Sequence, residues 1–216
     1  MQQAFVDCWQ TIDWAITAEA TRDFTVSVAS VVGVFIAIRG LNAWRKQLRG
    51  NTEYDLARRL MKAALKVREG IRTVRNPFMS NAEIDEAVRD QYPNDTAKNI
   101  PHFDSSTAVY NARWRAISDA MLDLKLELIE AEVIWGAGAK EQLEPLQKCV
   151  ADLRIALSQH LQLRSKRPPP FEPDKVNEID RIVFEVSDRP EKDDYTKRVH
   201  DAIENVQSFV TPHLKI

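Results

Sequence analysis

Residues 24–38 read FTVSVASVVGVFIAI, fifteen positions without a charge between Asp23 and Arg39. A full bilayer span takes about 20 apolar residues, and a shorter run also suits a buried core helix or the apolar part of a signal peptide. Extension through Arg39 to Trp44 supplies the missing length. An arginine near a helix end can lift its charge to the headgroups, and a tryptophan sits well at that interface. A cleaved signal peptide fits poorly. Asp7, Asp13, Glu19 and Asp23 precede the run where positive charge belongs, and Ile38-Arg39-Gly40 offers no small-residue cleavage site. We therefore expect one transmembrane helix over residues 24–44.

Charge sets its expected orientation. Residues 39–75 carry 11 Lys/Arg against 3 Asp/Glu, whereas residues 76–216 carry 18 against 25. Arg39, Arg45, Lys46 and Arg49 crowd the C-terminal flank of the span, so the positive-inside rule places that flank in the cytoplasm and residues 1–23 outside. In this leader Phe5, Trp9, Ile12 and Ile16 share a helical face, which suits either a short amphipathic helix on the outer surface or an unstructured lead. Within the span Ala29, Gly33 and Ala37 recur at intervals of four, a spacing that lets two transmembrane helices approach closely and marks a candidate self-association face. Arg45, Lys46, Arg49, Arg58, Lys62 and Lys66 are candidate lipid-facing cations, attracted to anionic headgroups or simply solvated. No aromatic platform or recognised module accompanies them, so nucleic acid is not an expected partner.

The remainder reads as helix. Glycine is scarce, and Leu, Ala, Glu, Lys and Arg dominate. Thr52-Glu53-Tyr54-Asp55 resembles a capping box opening a helix to about residue 75, with Leu60, Ala64, Val67, Ile71 and Val74 in a four-three rhythm. Asn76-Pro77 stops it. A short acidic helix follows over about 81–90, then a loop. Ser105 or Ser106 is expected to cap the longest helix, 105–135, whose stripe runs Tyr110, Trp114, Ile117, Met121, Leu124, Leu128, Ala131 and Trp135. Gly136 and Gly138 permit a reversal into helix 139–164, with Leu143, Leu146, Val150, Leu153, Leu157 and His160 along its seam. Lys166-Arg167-Pro168-Pro169-Pro170 is a stiff connector to helices near 176–186 and 193–210, the last lined by Tyr195, Val199, Ile203, Val206 and Val210. The expected fold is all-α: one N-terminal transmembrane helix, then a cytoplasmic helical bundle (residues 45–216) built on a long antiparallel hairpin.

Chemistry is harder to find. Asp119, Asp123, Glu127 and Glu130 share a face of the long helix, but interspersed cations make it a solvated charged face. His102, His160, His200 and His213 sit in no metal-binding spacing, although His200 and Glu204 are four apart. No nucleophile elbow or glycine-rich phosphate loop occurs. No catalytic, metal or cofactor-binding residue is assigned, no cofactor is expected, and the chain is read as a non-enzyme. Cys8 and Cys149 would lie on opposite sides of a membrane and are read as unpaired thiols.

The span, the following LNAWRKQLRGNTEYDLARRLMKAALKVREGIRTVRNPF (residues 41–78), VIWG at 133–136 and SFVTPHLK at 208–215 together resemble a group of bacterial membrane proteins. In that group one N-terminal span precedes a soluble helical domain, and no activity is assigned. The resemblance implies a bacterial inner-membrane location and transfers no functional residue. We expect a membrane-anchored scaffold in the bilayer that binds itself or a protein partner through the cytoplasmic domain. The alternatives are an oligomeric membrane-perturbing effector of the phage-defence or toxin type, and a small enzyme or ligand sensor with a pocket between helices.

Overall fold

The computed structural model describes residues 14–94, 99–165, 170, 172–185 and 193–214, with side chains from residue 21 onward. Leader positions Phe5, Cys8, Trp9 and Ile12, the Ile16 side chain and the connector residues 166–169 lie outside the described residues. Secondary structure is entirely helical, with no strand among the described residues. In chain order the helices are α1 (Trp14–Arg75), α2 (Asn81–Gln91), α3 (His102–Trp135), α4 (Gly138–Leu163), α5 (Pro173–Val183) and α6 (Asp194–Val210), closed by a 3-10 turn over Thr211–Leu214. The chain divides into two units, Met1–Asn51 and Thr52–Ile216.

Helix α1 contributes to both units and is continuous through Gly40 and Gly50. The sequence reading opened a new helix at Thr52, but that residue lies mid-helix. A glycine costs a helix about 1 kcal/mol, which long flanking runs of good helix formers outweigh. In the first unit every described side chain from Thr21 to Arg49 is exposed, the apolar Phe24, Val31, Phe35 and Ile36 included. By length and composition this helix can cross a membrane.

The second unit is organised by apolar stripes. Leu56, Leu60, Val67, Ile71 and Val74 on α1 are buried with Ile117, Leu124 and Leu128 of α3 and with Leu143, Leu146, Leu153 and Leu157 of α4. Helix α4 touches α3, α5 and α6, and α6 adds Tyr195, Val199, Val206 and Val210 to the same core. Each large aliphatic side chain withdrawn from water contributes about 1.5–3 kcal/mol, so this core is the main source of stability. Gly70 lets α1 come close to α3. A Cβ built there would stand 2.8 Å from Cγ1 of Ile117. A smaller cluster, Ala87, Val88, Ala108 and Val109, holds α2 against α3.

Helix starts show local chemistry. Ser80 caps α2 by accepting from the Glu83 amide at 3.2 Å. Helix α3 begins three residues before the expected cap, at His102, after the N-cap Pro101. Ser105 and Ser106 instead donate back to the His102 carbonyl, at 3.0 and 2.8 Å.

Candidate functional site

The candidate self-association residues Ala29, Gly33 and Ala37 are exposed on α1, with open space around Gly33. Arg45, Lys46, Arg49 and Lys62 are exposed as well. Arg58 reaches Asp55 at 3.9 Å, a loose surface pair worth little. Lys66 faces α3, where Asp123 accepts from its ammonium at 2.7 Å. Two turns earlier on the same flank, Arg59 donates to Glu127 at 2.9 Å and to Glu130. The acidic row of α3 is thus matched to the basic row of α1, and the partners descend α3 as they ascend α1. Sequence reading took the acidic row as solvated and the basic residues as lipid-facing or solvated, because the partners lie 57 to 71 residues apart.

Helix α3 carries a second apolar stripe that the sequence reading passed over. Leu122, Leu126, Ile129 and Val133 are spaced four, three and four residues apart and are between 60 and 81 % exposed. This is coiled-coil spacing on the face turned away from the buried Ile117, Leu124 and Leu128. Together the four side chains present roughly 400 Å² of apolar surface, comparable to the largest patch on a typical monomer. The signal was present in the sequence as a second four-three-four series offset from the first. Lys125 and Glu132 flank the stripe, and no ion pair joins either to another described residue.

Two buried arginines hold the ends of helices together. Arg75, the last residue of α1, is 2 % exposed, as is the side chain of Asp193, which accepts from it at 2.9 Å. The same guanidinium donates to the carbonyls of Ile182, Arg181 and Phe184 at 2.8, 3.1 and 2.8 Å, and to Thr196 Oγ1 at 2.6 Å. It therefore caps the C-terminus of α5, whose last carbonyls have no partner within the helix. Asp193 in turn caps α6, accepting from the Thr196 amide at 2.9 Å. Burial would raise the Asp193 carboxyl, but the Thr196 amide and Arg75 outweigh it and hold its pKa below the ordinary value. Arg113 plays a parallel part on α3. It donates to the carbonyls of Asn76 and Phe78 at 2.6 and 2.7 Å and takes Glu83 in a two-point pair at 2.6 and 2.9 Å. That contact lowers the Glu83 pKa. Each guanidinium nitrogen of both arginines is hydrogen-bonded, which marks the clusters as structural.

The third polar cluster is incomplete. His160 on α4 is 2 % exposed; its Nδ1 lies 3.0 Å from Asp180 Oδ1, and its Nε2 is buried without a hydrogen-bond partner. Burial lowers the imidazole pKa, the nearby Arg164 charge lowers it further, and Asp180 opposes both. The ring packs edge-on against Phe184 and Tyr110, with centroids 5.0 and 6.3 Å away. These residues border a cavity of about 570 Å³. His200, Asp201 and Glu204 are the described residues whose ligand atoms come close enough to share a cation, but all three are exposed on one turn of α6, an ordinary solvated face. Comparison with family models, curated proteins and solved structures finds no match to this chain.

Proposed function

We propose that this chain is a single-pass membrane protein whose helical domain self-associates, a scaffold and not an enzyme. The exposed stripe Leu122–Leu126–Ile129–Val133 carries the reading. The exposed apolar stretch of α1 is hydrophobic all round, which suits lipid better than water. The positive flank after Ile38 favours an inner-membrane anchor with the C-terminal domain in the cytoplasm. The domain is read as a bundle in which α3 and α4 form an antiparallel hairpin, consistent with Tyr110 meeting His160 while Arg154 lies over Trp114.

The occupant of the α3 stripe is a second copy of this chain. Lys125 and Glu132 flank the stripe with opposite charges, so a second copy can meet it with attractive contacts at its edge. The patch provides about half of the roughly 800 Å² per partner that a stable complex buries. The small-residue face Ala29/Gly33/Ala37 is the natural second contribution within the bilayer.

Cysteines introduced singly at Ile129 and at Gly33, in full-length protein in native membranes, separate the two contacts. Oxidative dimers are expected from Ile129→Cys, and Leu126→Glu should reduce them at least tenfold without shifting the thermal midpoint. Absence of an Ile129→Cys dimer, or one that survives Leu126→Glu, removes the α3 interface. The native Cys149 is buried, and its pKa is raised by burial, so it stays silent until the protein is denatured.

A further inference from the structure

The cavity beside His160 lies where the first turns of α3 meet the last turns of α4 and α5. Its walls combine Met79, Ile84, Phe103 and Phe184 with Tyr110 and Arg164. At about 570 Å³ it falls within the range of small-molecule sites, which are mostly apolar with a few fixed polar groups. Two of its polar groups are left unused although their residues are buried. Tyr110 is 4 % exposed, and its hydroxyl forms no hydrogen bond to a described residue. His160 Nε2 is likewise unpartnered. Because the Asp180 carboxylate accepts at Nδ1, the proton sits there and Nε2 is a bare acceptor. Buried polar atoms in folded proteins are nearly always satisfied, and His160 Nε2 is an exception that calls for a bound donor. The charge at the rim is equally selective. Arg164 is exposed, pairs with no carboxylate among the described residues, and stands close enough to His160 to lower its pKa. His102 lies on the same rim and adds an imidazole.

We propose that this cavity binds a small organic anion with an apolar body, its acid group on Arg164 and a hydrogen-bonding group between Tyr110 and His160. A carboxylate or phosphate satisfies the guanidinium through two parallel hydrogen bonds. The aromatic and aliphatic walls take the body, and an N–H or O–H on that body completes the His160 acceptor. Binding here is independent of the α3 stripe, which lies on another part of the surface.

Full-length protein in nanodiscs provides the test, with three probes that share an acid group. Indole-3-acetate offers a flat body and an N–H donor, AMP a base with an amino donor and a phosphate, and octanoate an apolar body with no donor. We expect dose-dependent thermal stabilisation by indole-3-acetate or AMP at millimolar concentration, and less by octanoate. Arg164→Gln, a surface change that leaves the core intact, should weaken that binding at least tenfold, and Tyr110→Phe severalfold. A cavity filled only by water gives no shift with any probe, and that result overturns the proposal. Stabilisation that is unchanged in both Arg164→Gln and Tyr110→Phe overturns it equally.

Discussion

Replacing Asp193 by alanine removes two supports at one point of the domain. The first is the cap on α6, where Oδ1 accepts from the Thr196 amide at 2.9 Å; losing such a cap costs about 1 kcal/mol. The second is the countercharge of Arg75, whose side chain is 2 % exposed and cannot turn to water. Stripping one partner from a buried pair costs about 3–5 kcal/mol, because the charge left behind stays desolvated. Arg75 keeps four other acceptors, the carbonyls of Arg181, Ile182 and Phe184 and the Thr196 hydroxyl, so the lower end applies. We expect a total loss of about 4 kcal/mol, or roughly 8–16 °C in thermal midpoint for a domain of this size. The assay is unfolding of the full chain in mild detergent, followed by tryptophan fluorescence. Arg75→Leu should be comparably damaging, since it abandons Asp193 in the same dry site. The double variant should cost at least 2 kcal/mol less than the sum of the singles, because neither charge is then left alone. A loss below 1 kcal/mol for Asp193→Ala, or additive singles, would refute the assignment of a coupled buried pair.

Two further outcomes follow from the packing and the titrating groups. Gly70→Ala gains about 1 kcal/mol of helix propensity but drives a methyl to 2.8 Å from Ile117 Cγ1, and overpacking costs about 1–3 kcal/mol. The net should be destabilising, and the cost should shrink in an Ile117→Ala background, which removes the γ carbon; a stabilised Gly70→Ala in a denaturant titration would show that α1 and α3 are not so close. His160 binds its proton more weakly in the folded chain than at the ordinary value of 6.5, owing to burial and Arg164, with Asp180 opposing. The unfolded state therefore takes up more protons below about pH 6.5, and stability falls as pH drops from 7 toward 5. His160→Gln should flatten that slope. The Asp193 and Glu83 contributions are lost only lower, below about pH 4.5, since both carboxyls are held down in the folded state. Stability that rises on acidification between pH 7 and 5 would contradict the burial of a neutral imidazole.

Periodicity made the core legible. Leu60, Ala64, Val67, Ile71 and Val74, the α4 seam from Leu143 to His160, and Tyr195 through Val210 are all buried. A 3.6-residue repeat reports which side chains face inward on a helix, whatever the partner. Trp114, Met121 and Trp135, read into the same stripe, are only partly buried, because they are large and sit at its margin. Pairings across the chain were not legible. Arg75 looked like one more cation in a basic run, yet it is the most thoroughly bonded side chain described, and its partners lie 106 to 121 residues onward. The exposed stripe on α3 was overlooked for a different reason. One stripe satisfied the expectation for an amphipathic helix, and a second on the opposite face was not sought. The His160 cavity could not have been found from spacing, since Tyr110, His160, Arg164 and Phe184 come from three segments of the chain.

The distance in sequence between Arg75 and Asp193 also sets a timetable for biosynthesis. A ribosome adding about 5–20 residues each second needs roughly 6–24 s to travel from one to the other. Those positions are 118 residues apart, and the apolar stretch of α1 is made well before either. Through that interval the Leu60–Val74 side of α1 has been made while the α4 and α6 surfaces that will cover it have not. Such a nascent chain is a substrate for chaperones, and any product released before Asp193 carries an arginine with no countercharge at the foot of its first helix. The C-terminal segment that carries Asp193 thus completes what the first helix begins, and a copy cut short of it lacks the countercharge that the finished fold buries beside Arg75.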